Sequence, residues 1–141
     1  MLKLIRRRRE KGEKGQALVE FALLIPIFLI MVFSIVDFGM GFYSWITVTN
    51  SAREGARLGA VQATEQLIIE RVEDTANLPN QDEKMTVTVS GAQGQPGGSV
   101  VVQVDYDYDL ITPLANLIFF ISGDIFGPTL TFSSTAEMRL E

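Results

Sequence analysis

The sequence predicts an α+β protein, in which a long N-terminal transmembrane helix continues into a small antiparallel β-sheet domain, like a lollipop on its stick. Three observations lead to this prediction. Residues 21–36 hold no charged side chain, a basic cluster precedes them, and three later segments alternate apolar and polar residues. Long apolar runs are typical of membrane helices, and a period of two is typical of strands with one buried face.

The composition limits what the chain can do. Its 141 residues suffice for one modest domain and include no cysteine or histidine, which excludes disulfides, thiolate or imidazole metal sites and a Ser-His-Asp triad. Residues 1–15 carry seven basic and two acidic groups, leaving five basic and 15 acidic groups for the remainder. An acidic body argues against nucleic-acid binding, which needs a basic face. We expect no enzymatic activity, no cofactor and no metal site.

The apolar run Phe21–Val36 is the core of the predicted membrane helix. It rises roughly 24 Å as a helix, whereas the hydrocarbon layer is ~30 Å thick and takes about 20 residues to cross. Residues 17–19 and 38–48 extend the run, with Glu20 and Asp37 as its two acidic exceptions. The basic flank predicts a cytoplasmic N-terminus and an exported remainder. A buried core helix would leave that flank unexplained.

Glu20 at the start of the run needs a compensating charge. A charge costs about 2.5–3.5 kcal/mol at the centre of a membrane helix and less near the interface. A cut after Gly15 would create an ammonium group on Gln16, four residues before Glu20. That group could pair with Glu20 of the same chain or of a neighbouring subunit. There are two alternatives. The chain could be an uncut anchor whose Glu20 lies among the lipid headgroups, or a secretory signal peptide could precede a poor cleavage site at residues 39–41.

This junction resembles the type IV prepilin (class III) signal, in which a prepilin peptidase cuts after a glycine on the cytoplasmic side. Gly15, Glu20 and Phe21 match the positions of that signal. Several further segments resemble TadE-like pilus-assembly proteins: Gly15–Pro26, Asp37–Gly39, Asn50–Arg57, Val100–Tyr108 and Ser133–Arg139. The resemblance implies a pilin-like fold and a minor pilin, or pseudopilin, that takes part in assembling a tight-adherence (Flp/Tad) type IV pilus.

The resemblance also implies partners and a location. The partners would be the prepilin peptidase, the major Flp pilin, sister TadE-like or TadF-like minor pilins, the inner-membrane Tad platform and membrane lipid, with no nucleic acid. The chain would cross the bacterial inner membrane once. Cleavage would fall between Gly15 and Gln16, and Glu20 with Phe21 would serve charge pairing and assembly. The alternative is an uncleaved single-pass envelope protein whose outer domain binds a ligand or partner.

The sequence predicts four segments: a basic leader (1–15), a transmembrane and assembly helix (16–48), an exported helix packing on the sheet (49–78) and a small antiparallel β domain (79–141).

Pro26 should kink the membrane helix, because proline removes a backbone hydrogen bond. The exported helix is predicted over Thr47–Asn77. Its core face is Leu58, Val61, Ile68 and Val72. A stripe of small residues allows close packing on a partner helix or on the chain's own sheet: Ala52, Gly55, Ala56 and Gly59.

Three strands are predicted from alternation, around Met85–Val89, Val100–Tyr108 and Leu130–Met138. A glycine-rich turn at 91–98 joins the first two. Alternate residues of a strand point to the same side, so the second strand places three aspartates together: Asp105, Asp107 and Asp109. They could form a solvated face, bind calcium or take part in acid-base chemistry. The solvated face fits best, because the spacing lacks the ligands of a calcium loop.

The apolar segment Leu117–Ile121 is too short to be a second membrane span. It would either close the core as a short helix or form an exposed patch for a partner or the membrane surface. Closing the core is the preferred interpretation.

Overall fold

A computed structural model describes the backbone of residues 2–117 and 129–141, and the side chains of residues 15–117 and 129–141. The chain divides into two compact units, Met1–Val36 and Asp37–Glu141. This boundary falls inside the segment 16–48 that the sequence assigns to one transmembrane and assembly helix. The predicted segment Leu117–Ile121 lies, after its first residue, outside the described residues, so its two interpretations stay predictions.

Helix α1 (Leu2–Ala60) forms the described backbone of the first unit and continues into the second. Large apolar side chains of the first unit are exposed within this chain; Phe21 is 64% and Phe28 58% exposed. A helix with apolar residues on all sides is stable only in an apolar surrounding. Within the part of the chain that the structure describes, the helical segment Gly15–Ala60 is the one that is long and apolar enough to cross a membrane, by length and composition.

The second unit contains a three-stranded antiparallel sheet in the order β1-β2-β3. The strands are β1 (Met85–Ser90), β2 (Ser99–Asp109) and β3 (Thr129–Arg139). Tyr106 of β2 lies between Met85 of β1 and Phe132 of β3, which fixes the register. A long N-terminal apolar helix followed by this sheet confirms the predicted α+β class.

The two faces of the sheet differ as the alternation predicts. On β2, the even-numbered side chains from Val100 to Tyr108 are buried, and the residues between them are exposed or half-buried. On β3 the same face is half-buried from Phe132 onward, whereas Leu130 is 45% exposed. Leu130 thus shares the apolar face of β3 but is not buried there. It lines an open groove at the end of the sheet, where helix α1 does not cover it.

The turn between β1 and β2 depends on Gly91. Its φ of +76° lies in the left-handed region, and a Cβ there would collide with the carbonyl oxygen of Ser99. Only glycine adopts this conformation without a steric penalty. Within the predicted glycine-rich turn, Gly91 is therefore required, because its backbone lies too close to that of Ser99 for a side chain.

The predicted continuous helix over Thr47–Asn77 is wrong, because the structure has two helices there. Helix α1 ends at Ala60, and Gln62 adopts a left-handed φ of 65°. Helix α2 (Glu65–Ala76) then begins after Thr64, whose hydroxyl accepts a hydrogen bond from the backbone N–H of Leu67. Such a side-chain cap satisfies one of the free N–H groups at a helix start. A four-residue helix, α3 (Gln81–Lys84), leads into β1.

This break changes the predicted core face. Ile68 and Val72 of α2 are fully buried and Leu58 is half-buried, but Val61 is 59% exposed. A continuous helix would place Val61 on the same face as Leu58 and Ile68, so its predicted place in the core is wrong. It instead lies in the turn that closes α1, so its side chain leaves that face.

The core of the second unit forms where α1 and α2 pack against β2. Residues of α1 that are fully buried there have small or short side chains: Val48, Ser51, Ala52 and Ala56. A Cβ at Gly59 would lie 2.8 Å from a methyl carbon of Val100, and one at Gly55 would collide with a methyl group of Val72. The small stripe therefore lets the backbone of α1 approach β2 and α2 of the same chain.

We predict that Gly55→Ala destabilises the second unit by about 1–3 kcal/mol, because the added methyl group overpacks the contact with Val72. The melting temperature of the full chain in detergent micelles, followed by near-ultraviolet circular dichroism, measures this. Gly39→Ala is the matched control in the same helix, because a Cβ there meets nothing within 4 Å. It should raise stability by about 0.5–1 kcal/mol through helix propensity. Equal melting temperatures for the two variants would contradict the close-packing account.

Candidate membrane and assembly site

The predicted cleavage junction lies on the exposed surface of the first unit. Gly15, Gln16, Glu20 and Phe21 are all exposed, and a Cβ at Gly15 would meet no atom within 4 Å. The side-chain amide of Gln16 donates a hydrogen bond of 3.0 Å to a carboxylate oxygen of Glu20. Residues four apart share one face of a helix, so this bond places both side chains together. The cleavage and charge-pairing roles of these residues stay predictions.

The other predicted site residues lie further along α1. Pro26 is inside the helix, which continues through it, and its kink stays a prediction. Ala52 and Ala56 are fully buried, and Gly55 and Gly59 are buried beside them. The structure therefore brings the stripe onto the sheet of the same chain.

Asp37 is a buried acid whose contacts the sequence does not predict. It is only 2% exposed, although it is an acid within the extension of the apolar run. One carboxylate oxygen accepts hydrogen bonds from the backbone N–H groups of Ile111 (2.9 Å) and Thr112 (3.1 Å), and the other accepts one from the Thr112 hydroxyl. These donors replace water around the buried charge. Asp37 thus ties α1 to the chain that leaves β2.

A second link at the same place involves Tyr108. Its hydroxyl donates a hydrogen bond of 3.2 Å to the backbone carbonyl of Asp37, and its ring lies 5.9 Å from that of Phe132. Burial raises the pKa of the Tyr108 hydroxyl, and the nearby charge of Asp37 raises it further. The hydroxyl therefore stays protonated and remains a donor at neutral pH. The signal in the sequence was the isolated acid itself, since a charge in an apolar segment needs fixed donors.

The three aspartates of β2 each have their own partner. Asp105 accepts a hydrogen bond from the Gln103 amide (2.9 Å), and Asp107 accepts one from the Thr131 hydroxyl (2.6 Å). Asp109 binds the Lys84 ammonium (2.6 Å) and the Thr129 hydroxyl (2.7 Å). Asp107 and Asp109 thus link β2 to β3, while Lys84 adds a contact from the residue before β1.

The Lys84–Asp109 pair shifts the pKa of both groups. The hydrogen bond from Lys84 lowers the pKa of the Asp109 carboxyl, and the one from Thr129 lowers it further. The same hydrogen bond raises the pKa of Lys84. Lys84 is the single lysine after Lys14. No pattern in the sequence predicts its pairing with Asp109, because the contact depends on sheet register.

We predict that Asp37→Ala costs about 1–3 kcal/mol of stability, because it leaves partly buried backbone N–H groups without an acceptor. Thermal unfolding of the full chain in micelles measures the loss. Hydrogen exchange of the Ile111 and Thr112 amides should speed up in this variant. Asp37→Asn retains one acceptor oxygen of similar position and should lose less. If Asp37→Ala and Asp37→Asn had equal stability and equal amide hydrogen exchange, the carboxylate would not be what holds this turn.

We predict that the Lys84–Asp109 link stabilises the sheet between about pH 4 and about pH 10 and weakens outside that range. The folded pKa of Asp109 is lowered, so its contribution is present above its unfolded pKa and is lost as pH falls through the folded value. The folded pKa of Lys84 is raised, so its contribution is lost as pH rises through that value. Melting temperatures of wild type, Lys84→Met and the charge-keeping Lys84→Arg across this range test it. Superimposable curves for wild type and Lys84→Met would refute the link.

Comparison with known proteins gives one family match. The model of the family described as TadE-like protein matches residues 15–57, which run from the predicted cleavage position to the end of the Asn50–Arg57 motif. No curated protein and no solved structure matches the chain. The apolar helix within the matched region fits a single-pass membrane anchor. The chain therefore carries a TadE-like region at residues 15–57, which confirms the predicted resemblance and supports a relation to the Tad pilus system.

Proposed function

We propose that this protein is a minor pilin, or pseudopilin, that takes part in assembling a Tad pilus from the bacterial inner membrane. The observation that carries the proposal is the TadE-like match, which begins at Gly15 and contains the whole apolar run. The exposure of that run within the chain adds support, because apolar side chains at Phe21 and Phe28 need lipid or neighbouring helices around them. The protein acts as a structural subunit and a peptidase substrate, with no catalysis of its own.

Processing after Gly15 would convert the junction into a charge pair. Side chains on a helix lean toward its N-terminus, so the Glu20 carboxylate reaches back toward Gln16. The 3.0 Å hydrogen bond between the two side chains is in keeping with this direction. After cleavage, the ammonium group of Gln16 would stand one helical turn from Glu20, or would meet Glu20 of a neighbouring subunit. Either pairing lowers the cost of keeping the acid at the membrane boundary.

The partners proposed for this subunit follow its two surfaces. The prepilin peptidase would act on the Gly15–Gln16 bond from the cytoplasmic side. The apolar run would pack against the helices of the major Flp pilin, sister TadE-like or TadF-like subunits and the inner-membrane platform. The exported second unit would then face other subunits outside the membrane.

We predict that the protein recovered from host cells with an active prepilin peptidase lacks residues 1–15, and that Gly15→Ala abolishes this processing. Intact-protein mass spectrometry measures the loss of the leader. Gly39→Ala is the matched control, because it is the same change in the same helix and should leave processing normal. A chain that keeps Met1 while pili form normally would overturn the proposed processing and favour the uncleaved single-pass anchor.

The companion variant Glu20→Ala separates processing from assembly in the same experiment. It should be cleaved as wild type but should reduce the number of pili seen by electron microscopy, because the new ammonium group would have no acid to pair with. Normal piliation in this variant would remove the charge-pairing role while leaving cleavage in place.

A further inference from the structure

The second unit carries an open apolar groove beside the first residues of its helix. We call it the aromatic groove; its main lining residues are Phe38, Phe42, Trp45, Leu110, Leu130 and Phe132. Its volume is about 360 Å³. Phe38, Phe42 and Trp45 recur four and three residues apart, so they share one face of α1. They are 65%, 59% and 47% exposed, which leaves a large aromatic surface without a cover among the described residues.

The position of the groove in the chain points to lipid as its cover. The uncharged run Phe21–Val36 rises only roughly 24 Å as a helix, which is less than the ~30 Å of a hydrocarbon layer. The membrane therefore needs further residues, and the next large apolar side chains beyond Asp37 on the outer side are Phe38, Met40 and Phe42. The helical residues that line the groove thus follow the apolar run directly in the sequence.

The charge pattern supports the same occupant. Between Glu20 and Arg53 the sequence has a single charged residue, Asp37. Asp37 reaches the groove, but its carboxylate is satisfied by the N–H groups of Ile111 and Thr112 and by the Thr112 hydroxyl. A carboxylate with internal donors can border an apolar phase at lower cost than one that depends on water. The wall of the groove therefore offers lipid no free charge.

The residue types are those of a membrane interface. Trp45 lines the groove, and Tyr43 is exposed on the same helix. Tryptophan and tyrosine are enriched at the level of the headgroups, because each ring has an apolar body and one polar atom. An acidic or basic docking motif for a soluble partner is absent from the described lining of the groove. A lipid surface fits this combination better than a charged protein segment does.

We propose that the aromatic groove lies at the outer interface of the bilayer and is filled by acyl chains of membrane phospholipid. This inference rests on the membrane anchoring in the proposed function and extends it, because it makes the second unit itself a lipid-contacting body. Phe42 and Trp45 would then face the upper acyl region, while the exposed charges from Arg53 onward would stay in water.

The single tryptophan of the chain provides a native reporter for this contact. The full chain is reconstituted into phosphatidylcholine vesicles in which part of the lipid carries bromine, either near the glycerol end or near the far end of the acyl chain. Bromine quenches tryptophan fluorescence on contact. We expect roughly half of the Trp45 emission to be lost with shallow bromine, less with deep bromine, and little with aqueous iodide.

A repositioned tryptophan separates this proposal from membrane anchoring itself. In the double variant Trp45→Phe, Phe28→Trp the reporter lies within the apolar run, and deep bromine should quench it most. If the double variant is quenched while Trp45 is quenched only by iodide, or by neither agent because protein covers it, the groove proposal is overturned and anchoring stands. If deep bromine does not quench the double variant, anchoring fails and the groove proposal fails with it.

A charge placed in the groove tests the contact from the other side. Phe42→Asp should lower the quenching of Trp45 by shallow bromine at least about twofold, because an acid is costly in the acyl region. Asn50→Asp introduces the same charge at an exposed position of the same helix outside the groove, and quenching should stay at the wild-type level. Equal quenching in both variants would overturn the proposal.

Discussion

Helix α1 packs on β2 through residues that have almost no side chain. The hydrogen atoms of Gly55 and Gly59 leave space that the methyl groups of Val72 and Val100 occupy. Because interiors are closely packed, this fit determines how deeply the sheet and α2 can approach the helix. The buried side chains of β2 and α2 reach the same contact. The part of α1 that lies in the second unit is therefore the central element of that unit's core.

The acids near this helix are stabilised in different ways. Glu20 lies at the start of the apolar run, where Gln16 is its hydrogen-bond donor. Asp37 lies at the other end, where the fold supplies donors from Ile111 and Thr112. Asp109 lies on the outer face of the sheet and binds Lys84. The donors of each carboxylate suit its surroundings, because a carboxylate needs fixed hydrogen-bond donors most where water is least available.

These arrangements join the two roles proposed for the chain. A subunit that leaves the bilayer for a filament exchanges lipid contacts for protein contacts. Exposed residues such as Phe28 and Trp45 are suited to both, since apolar packing has no preferred partner. The satisfied carboxylate of Asp37 can accompany that change without a new counter-ion. The TadE-like match covers this helical region and ends before the sheet.

The apolar run, the three strands and the apolar face of each strand can be predicted from the residues alone, because hydrophobic periodicity directly reflects which side of an element meets an apolar surrounding. It also supplied the TadE-like motifs. Four features became visible only in the folded chain: the break at Gln62, the exposure of Leu130, the donors around Asp37 and the partner of Lys84. A turn, an uncovered sheet end and a contact between distant residues depend on how elements meet in space, and no local pattern records that. The stripe of small residues illustrates both points. Its sequence predicts close packing, and the structure shows that it packs on β2.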